Sequence, residues 1–205
     1  MKNLFKRSRL TLLAAAMLAA SGALYAEVPE VCAVCHHDNG ISTDAHVPIV
    51  AGNAVFFTEN QLFMFAEGTR SCAEDYFASH DDVAAKDHCA VAAELSEEQI
   101  TAIAEAFEGM EHVAFEQDCD VDLAATGEGI HKASCEKCHS DAGSVKDDEA
   151  GILAGQPKAY IIAQLKHYRA DERPPAEMQK PAHGLSDDDI TALAEFYARE
   201  GKSRF

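Results

Sequence analysis

Positive charge is what this chain has least of. Its 205 residues hold 17 Lys+Arg against 35 Asp+Glu. Such a surface repels phosphate backbones and anionic headgroups, which excludes nucleic-acid binding and favours a partner that presents a basic patch. Four of the basic residues (Lys2, Lys6, Arg7 and Arg9) stand at the very start, before the apolar run from Leu10 to Ala20 and the small-residue stretch ending Leu24-Tyr25-Ala26. That order reads as a secretory signal peptide over residues 1–26, which implies export to the periplasm. The run falls short of the ~20 residues that span a bilayer. No later segment approaches that length, so the exported chain is expected to be soluble, with no membrane span. Without residues 1–26 it keeps 13 Lys+Arg against the same 35 acids, a formal charge of −22.

Alternating apolar and polar runs are also missing, so no strand is expected and the fold class is all-α. Helical periodicity replaces them. Apolar residues recur at helical spacing over Val55 to Phe65 and Ala159 to Tyr168, and Val121 to Lys137 reads as a longer helix. Ser96-Glu97-Glu98-Gln99 opens a helix with a capping-box pattern, and Ser186-Asp187-Asp188-Asp189 is its acidic counterpart. Ala102, Ile103, Ala106 and Phe107 form an apolar stripe echoed by Ala192, Leu193, Phe196 and Tyr197. The aromatic residues Phe56, Phe57, Phe63, Phe65, Tyr160 and Tyr168 are read as core.

Seven cysteines would suggest disulfides in an exported protein, but four of them are spaced otherwise. Cys32-Ala-Val-Cys35-His36 and Cys135-Glu-Lys-Cys138-His139 are both C-x-x-C-H, the attachment signature of c-type haem. Two thiols on adjacent turns reach the two vinyl groups of one porphyrin, and the following imidazole turns onto its iron. Zinc is the competing reading of C-x-x-C, but no second ligand pair follows either motif. Two covalently attached haem c groups are therefore expected.

The two motifs head an internal repeat. A shift of 103 residues lays Cys32, Cys35 and His36 on Cys135, Cys138 and His139, and Ala51-Gly52 on Ala154-Gly155. It also lays Phe57 on Tyr160, Gln61-Leu62 on Gln164-Leu165, Phe65 on Tyr168, and Arg70 on Arg173. Further along the shift becomes 90, with Leu95-Ser96 on Leu185-Ser186 and Ile100-Thr101-Ala102 on Ile190-Thr191-Ala192. The first unit thus carries 13 additional residues between its middle and last helices. Two domains follow, residues 27–112 and 113–205, joined near Met110 to Asp120.

His36 and His139 are the expected proximal ligands. Methionine is scarce, and Met178, in the loop before the last helix, has no rival thioether in its unit. A soft ligand there would raise the potential of the second haem. The 90-residue shift lays His88 on Met178, which makes His88 the distal ligand expected for the first haem, with Met64, Met110, His80 and His46 as rivals. Imidazole donates more strongly to ferric iron than a thioether, so the first haem would sit at lower potential. Cys72 and Cys89 bracket the insertion, and a disulfide between them would hold the distal ligand in place. The alternative is Cys89 as a thiolate ligand. Cys119 is left over, as a buried thiol or a contact to another subunit. Arg70 and Arg173 are candidates for pairing with haem propionates, against a plain role in capping the preceding helix.

The second motif, Leu153-Ala154-Gly155-Gln156, Tyr160, Gln164-Leu165, Arg173, Met178 and Leu185-Ser186-Asp187 together resemble two-haem cytochromes of the c-four type. His131-Lys132 with the motif itself, Ile152 to Gln156 and Arg173-Pro174 look closer still to the cytochrome subunit of flavocytochrome c sulfide dehydrogenase. The resemblance implies two tandem class I cytochrome c domains about a pseudo-twofold axis, with carbonyls near Pro48 and Gly151 orienting the proximal imidazoles. It implies single-electron transfer from a flavoprotein subunit, or another redox protein with a basic patch, to an acceptor cytochrome or oxidase. His88 departs from the family, where methionine is usual. A freestanding respiratory shuttle is the nearest alternative. A two-haem enzyme such as a thiosulfate dehydrogenase would need an open iron position or a cysteine ligand.

Overall fold

A computed structural model describes residues 28–72, 87–148 and 150–205. Residues 1–26, read above as a signal peptide, and His80 lie outside the described residues. The described residues form α-helices and one 3-10 turn, with no strand. In the first unit these are α1 (Glu30–His36), α2 (Val55–Ala66), α3 (His88–Ala92) and α4 (Glu97–Glu108). The second unit contributes α5 (Val121–Ser134), the turn-like α6 (Ser140–Gly143), α7 (Lys158–Arg169), α8 (Ala176–His183) and α9 (Asp187–Arg204). None of these helices is long and apolar enough to cross a membrane.

Local chemistry sets where the helices begin. Both expected capping boxes form: Ser96 and Ser186 accept from the backbone N–H of Gln99 and Asp189, whose side chains reach back to the cap N–H. Asp120 opens α5 by accepting from the N–H groups of Asp122 and Leu123. The helix ends earlier than the pattern predicts. Cys135 N–H and Glu136 N–H both turn back to the His131 carbonyl, at 2.8 and 3.0 Å, which closes the helix and leaves the second motif in the turn beyond it. Met178 sits on α8, not in a loop, because Pro174 and Pro175 precede a first turn that needs no N–H from them.

The core of each unit is the C-terminal helix against the helix that precedes it in space. Helix α4 packs on α2 through Ile103 and Phe107, and α9 packs on α5 and α7 through Leu193, Phe196 and Tyr197. Gly127 permits the α5–α9 approach, since a Cβ there would lie 2.1 Å from the Ala192 carbonyl oxygen. Phe56 does not join the core: it is 54% exposed and lines the cavity described below.

The repeat seen in sequence recurs bond by bond. Gly40 C=O accepts from Val50 and Ala51, as Gly143 C=O does from Leu153 and Ala154. Gly52 N–H donates to Phe107 C=O at 2.8 Å, and Gly155 N–H to Tyr197 C=O at 2.9 Å. Both glycines hold φ near +80°, at +78° and +79°, which an L side chain adopts only with strain. The units also clasp each other reciprocally. Asn53 Oδ1 accepts from Ile152 N–H at 2.9 Å, while Gln156 accepts from Ile49 N–H at 2.9 Å and donates to Ile49 C=O at 2.7 Å. Ile152 is the repeat partner of Ile49, and Gln156 that of Asn53. This exchange is the signature of a twofold relation between the units. Buried His112 spans the seam, its two ring nitrogens 3.0 and 3.2 Å from the carbonyls of Ala51 and Ala154.

Candidate haem-binding site

Both motifs open onto one apolar cavity of about 900 Å³ at the junction of the units. Cys32, Cys35 and His36 line it from α1, and Cys135, Cys138 and His139 from the turn after α5. His88 on α3 and Met178 on α8 line it as well, so the structure brings all eight of these residues to one cavity.

The imidazoles are prepared for metal. His36 Nδ1 lies 3.0 Å from the Pro48 carbonyl, so the tautomer that donates there keeps the Nε2 lone pair available for a metal. Burial lowers the His36 pKa to about 4, only partly countered by the Pro48 bond, so the ring is neutral. His139 falls to about 4 through burial and the nearby His131. Its Nδ1 has no hydrogen-bond partner among the described residues, so the expected bond to the Gly151 carbonyl is not formed. His88 also falls to about 4, through burial first and then the proximity of His36 and Arg70.

Two imidazoles that bind one metal from opposite sides, through nitrogen at ~2.0–2.1 Å, have ring centres about 6 Å apart. The His36 and His88 ring centres lie 6.2 Å apart. His88 stacks on Phe65 with centroids 4.7 Å apart, which fixes its plane. The rivals stand elsewhere or in other work. His46 is exposed beside Asp44, 3.4 Å away. Met110 packs with Ile103 and Phe107. Met64 does line the cavity from α2. Cys72 and Cys89 form a disulfide, so Cys89 offers no thiolate.

Arg70 and Arg173 meet across the seam. Arg70 donates to Gln61 Oε1 at 2.6 Å and to Gln164 Oε1 at 3.3 Å. Arg173 mirrors this, donating to Gln164 Oε1 and, at 2.9 Å, to Gln61 Oε1. Each guanidinium also lies over an aromatic ring at equivalent places in the repeat, Arg70 over Phe65 and Arg173 over Tyr168. Burial and then the charge of Arg173 lower Arg70 to about 10. Burial pushes the Tyr160 phenol up, but Arg173 and Arg70 more than offset it and its pKa is lowered. Two buried like charges favour an anion between them, which suits the carboxylates of haem propionates. The cavity, the neutral imidazoles, the paired thiols and the buried cations together fit two haem groups.

Some functional residues were not legible beforehand. Gln61 and Gln164 stood out in the repeat but carried no assigned role; amides shared between two arginines become visible only once the units are docked. His112, Asn53 and Gln156 belong to the same class. Cys119 is a free thiol, half-buried and outside the cavity. With Cys72 and Cys89 paired and four thiols consumed by haem attachment, the unfolded oxidised holoprotein should titrate one thiol. A count of three would mean that the disulfide is not present in solution.

The comparisons with known proteins agree with this geometry. A family described as cytochrome c oxidase, cbb3-type, subunit III matches residues 122–196. The chain is 30% identical over 185 residues to a thiosulfate dehydrogenase electron acceptor of Stutzerimonas stutzeri, covering 83% of this chain and 79% of that protein. Its fold matches cytochrome c4 of Pseudomonas stutzeri with a TM-score of 0.67 and 25% identity, over 82% of this chain and 93% of that one. Cytochrome c4 of Acidithiobacillus ferrooxidans gives a TM-score of 0.68 at 24% identity, over 82% and 98% of the two chains. The architecture is that of two tandem class I cytochrome c domains. This chain belongs to the family of dihaem c-type cytochromes that includes the Stutzerimonas stutzeri acceptor, and it carries electrons on two covalently attached haem c groups.

Proposed function

We propose that the chain is a periplasmic one-electron carrier with two unequal haem sites, loaded by a sulfur-oxidising dehydrogenase and discharged to a cytochrome or oxidase. The domains divide at residues 112 and 113. Cys32 and Cys35 would attach haem one, with His36 and His88 as its ligands; Cys135 and Cys138 would attach haem two, with His139 and Met178. The observation that carries this reading is the 6.2 Å separation of the His36 and His88 rings beside the first motif. Each haem supplies an iron that cycles between ferric and ferrous states. The protein's part is to set potential and orientation. Two imidazoles would lower the potential at haem one and a thioether would raise it at haem two, which would make transfer from the first unit to the second downhill. Arg70 and Arg173, bridged by Gln61 and Gln164 across the seam, would pair with haem propionates.

Thiosulfate dehydrogenase is the preferred donor, since a relative covering most of the chain is named as its electron acceptor. The flavoprotein subunit of a sulfide dehydrogenase is the second reading, favoured by the residues around His131 to His139. Either donor would dock through a basic patch on an acidic surface. Stopped-flow reduction decides between them. The oxidised protein should be reduced by thiosulfate together with its dehydrogenase within turnover time, faster at low than at high salt. Reduction only by sulfide with a flavoprotein would transfer the assignment to the second donor, and reduction by neither would sink both.

A further inference from the structure

We propose that the Cys72–Cys89 disulfide is a redox-sensitive strap on His88, and that its reduction frees His88 and opens haem one to a small exogenous ligand. This rests on the reading of His88 as the distal ligand.

The two units tether their distal residues differently. From the anchored Arg173 to Met178 the chain runs through residues 174–177, two of them proline, and Met178 rides on an eight-residue helix. From Arg70 to His88 it runs through residues 71–87, longer by the 13-residue insertion. His88 opens α3, which is five residues long. A helix of that length has no stability of its own, since nucleation alone outweighs its few bonds. Asp87 caps it, accepting from Ala90 N–H at 2.7 Å.

The disulfide restores the short tether. Cys72 follows a fixed point: Thr69 and Arg70 N–H both donate to Met64 C=O at 3.0 Å, and the Arg70 side chain is locked to Gln61 and Gln164. Cys89 is the residue after His88. Through the bridge, the path from Arg70 to His88 passes only Ser71, Cys72 and Cys89. Closing a loop of 17 residues restricts the open ensemble by roughly 200-fold, so opening the bridge weakens the hold on His88 by up to that factor.

The bridge can be reached. Both cysteines are only half-buried, and Ser71, Asp87 and Ala90 beside them are exposed. The reductant is an external dithiol. Its thiolate attacks one sulfur to form a mixed disulfide, and its second thiol displaces the protein cysteine. The dithiol leaves oxidised as a cyclic disulfide, while Cys72 and Cys89 gain two electrons and two protons as thiols.

The test uses the full holoprotein with both irons held ferrous and carbon monoxide as the probe. One sample keeps its disulfide, a second is opened with a phosphine and checked by alkylation for two new thiols, and a third is the Cys72→Ala/Cys89→Ala double variant. Carbon monoxide uptake at haem one, followed in the Soret band, should be at least 10-fold faster in the phosphine-opened protein and in any double variant that folds. Haem two serves as the internal reference. Equal uptake in the bridged and phosphine-opened samples overturns the strap. His88→Ala with its disulfide intact separates the two ideas. If it leaves the spectrum and uptake unchanged, the ligation reading fails; if it opens haem one while the phosphine-opened protein stays closed, the strap alone fails.

Discussion

In a His88→Met variant the potential of haem one should rise by on the order of 100 mV, bringing it close to haem two, while haem two stays where it is. The direction follows from ligand chemistry. An imidazole stabilises ferric iron more than a thioether does, so exchanging one for the other favours the ferrous state. The geometry makes the exchange specific to one site. His88 lines the cavity opposite His36 and stacks on Phe65, whereas Met178 is on α8 in the other unit. Low-temperature EPR of the wild type should show one His/His and one His/Met ferric haem, and a redox titration should resolve two midpoints. A thioether charge-transfer band from both haems in the wild type would sink the assignment. So would potentials that do not move in the variant. The consequence for function is direct, because levelling the two midpoints removes the downhill step from the first unit to the second and should slow internal transfer.

Gln156→Ala should lower the melting temperature by roughly 5–15 °C, more than Asn53→Ala does. Gln156 is 3% exposed, and its amide satisfies both the N–H and the C=O of Ile49 across the seam. Its removal leaves two buried backbone groups unpaired, each costing about 1–3 kcal/mol. Asn53 satisfies only one group across the seam, Ile152 N–H, and its Nδ2 turns back to Val50 C=O in its own unit. Calorimetry or thermal melts of the three oxidised proteins would rank them. Equal losses for the two variants, or none, would mean that the reciprocal clasp does not hold the units together. A loss of cooperativity in Gln156→Ala, with two transitions in place of one, would instead show that the clasp makes the two domains melt as a unit.

How much of this was legible beforehand depends on the range of the interaction concerned. The capping boxes at Ser96 and Ser186 were readable because a serine and an acid or amide three residues later act on adjacent backbone groups. The end of α5 at Ser134 was not, since it depends on two N–H groups competing for the His131 carbonyl at a turn shaped by the motif that follows. Sequence places Met178 in a loop, yet it lies on α8, since prolines ahead of a first turn do not oppose a helix. The repeat reached further than local patterning, since aligning two copies compares residues distant in sequence. It singled out His88 by laying it on Met178.

The sequence by itself determined the attachment of two haems, the duplication, the all-helical class and the short list of candidate axial residues. Each rests on covalent spacing or on periodicity, which are properties of a chain segment and survive without knowledge of its neighbours. Only the tertiary structure decided that the His36 and His88 ring centres lie 6.2 Å apart, that Cys72 is joined to Cys89, and that Arg70 and Arg173 share two glutamines across the seam. These are relations between groups separated by 9 to 112 residues of chain. They exist only once the chain has folded, the first two within one unit and the third where the two units meet, in a buried, low-dielectric interior.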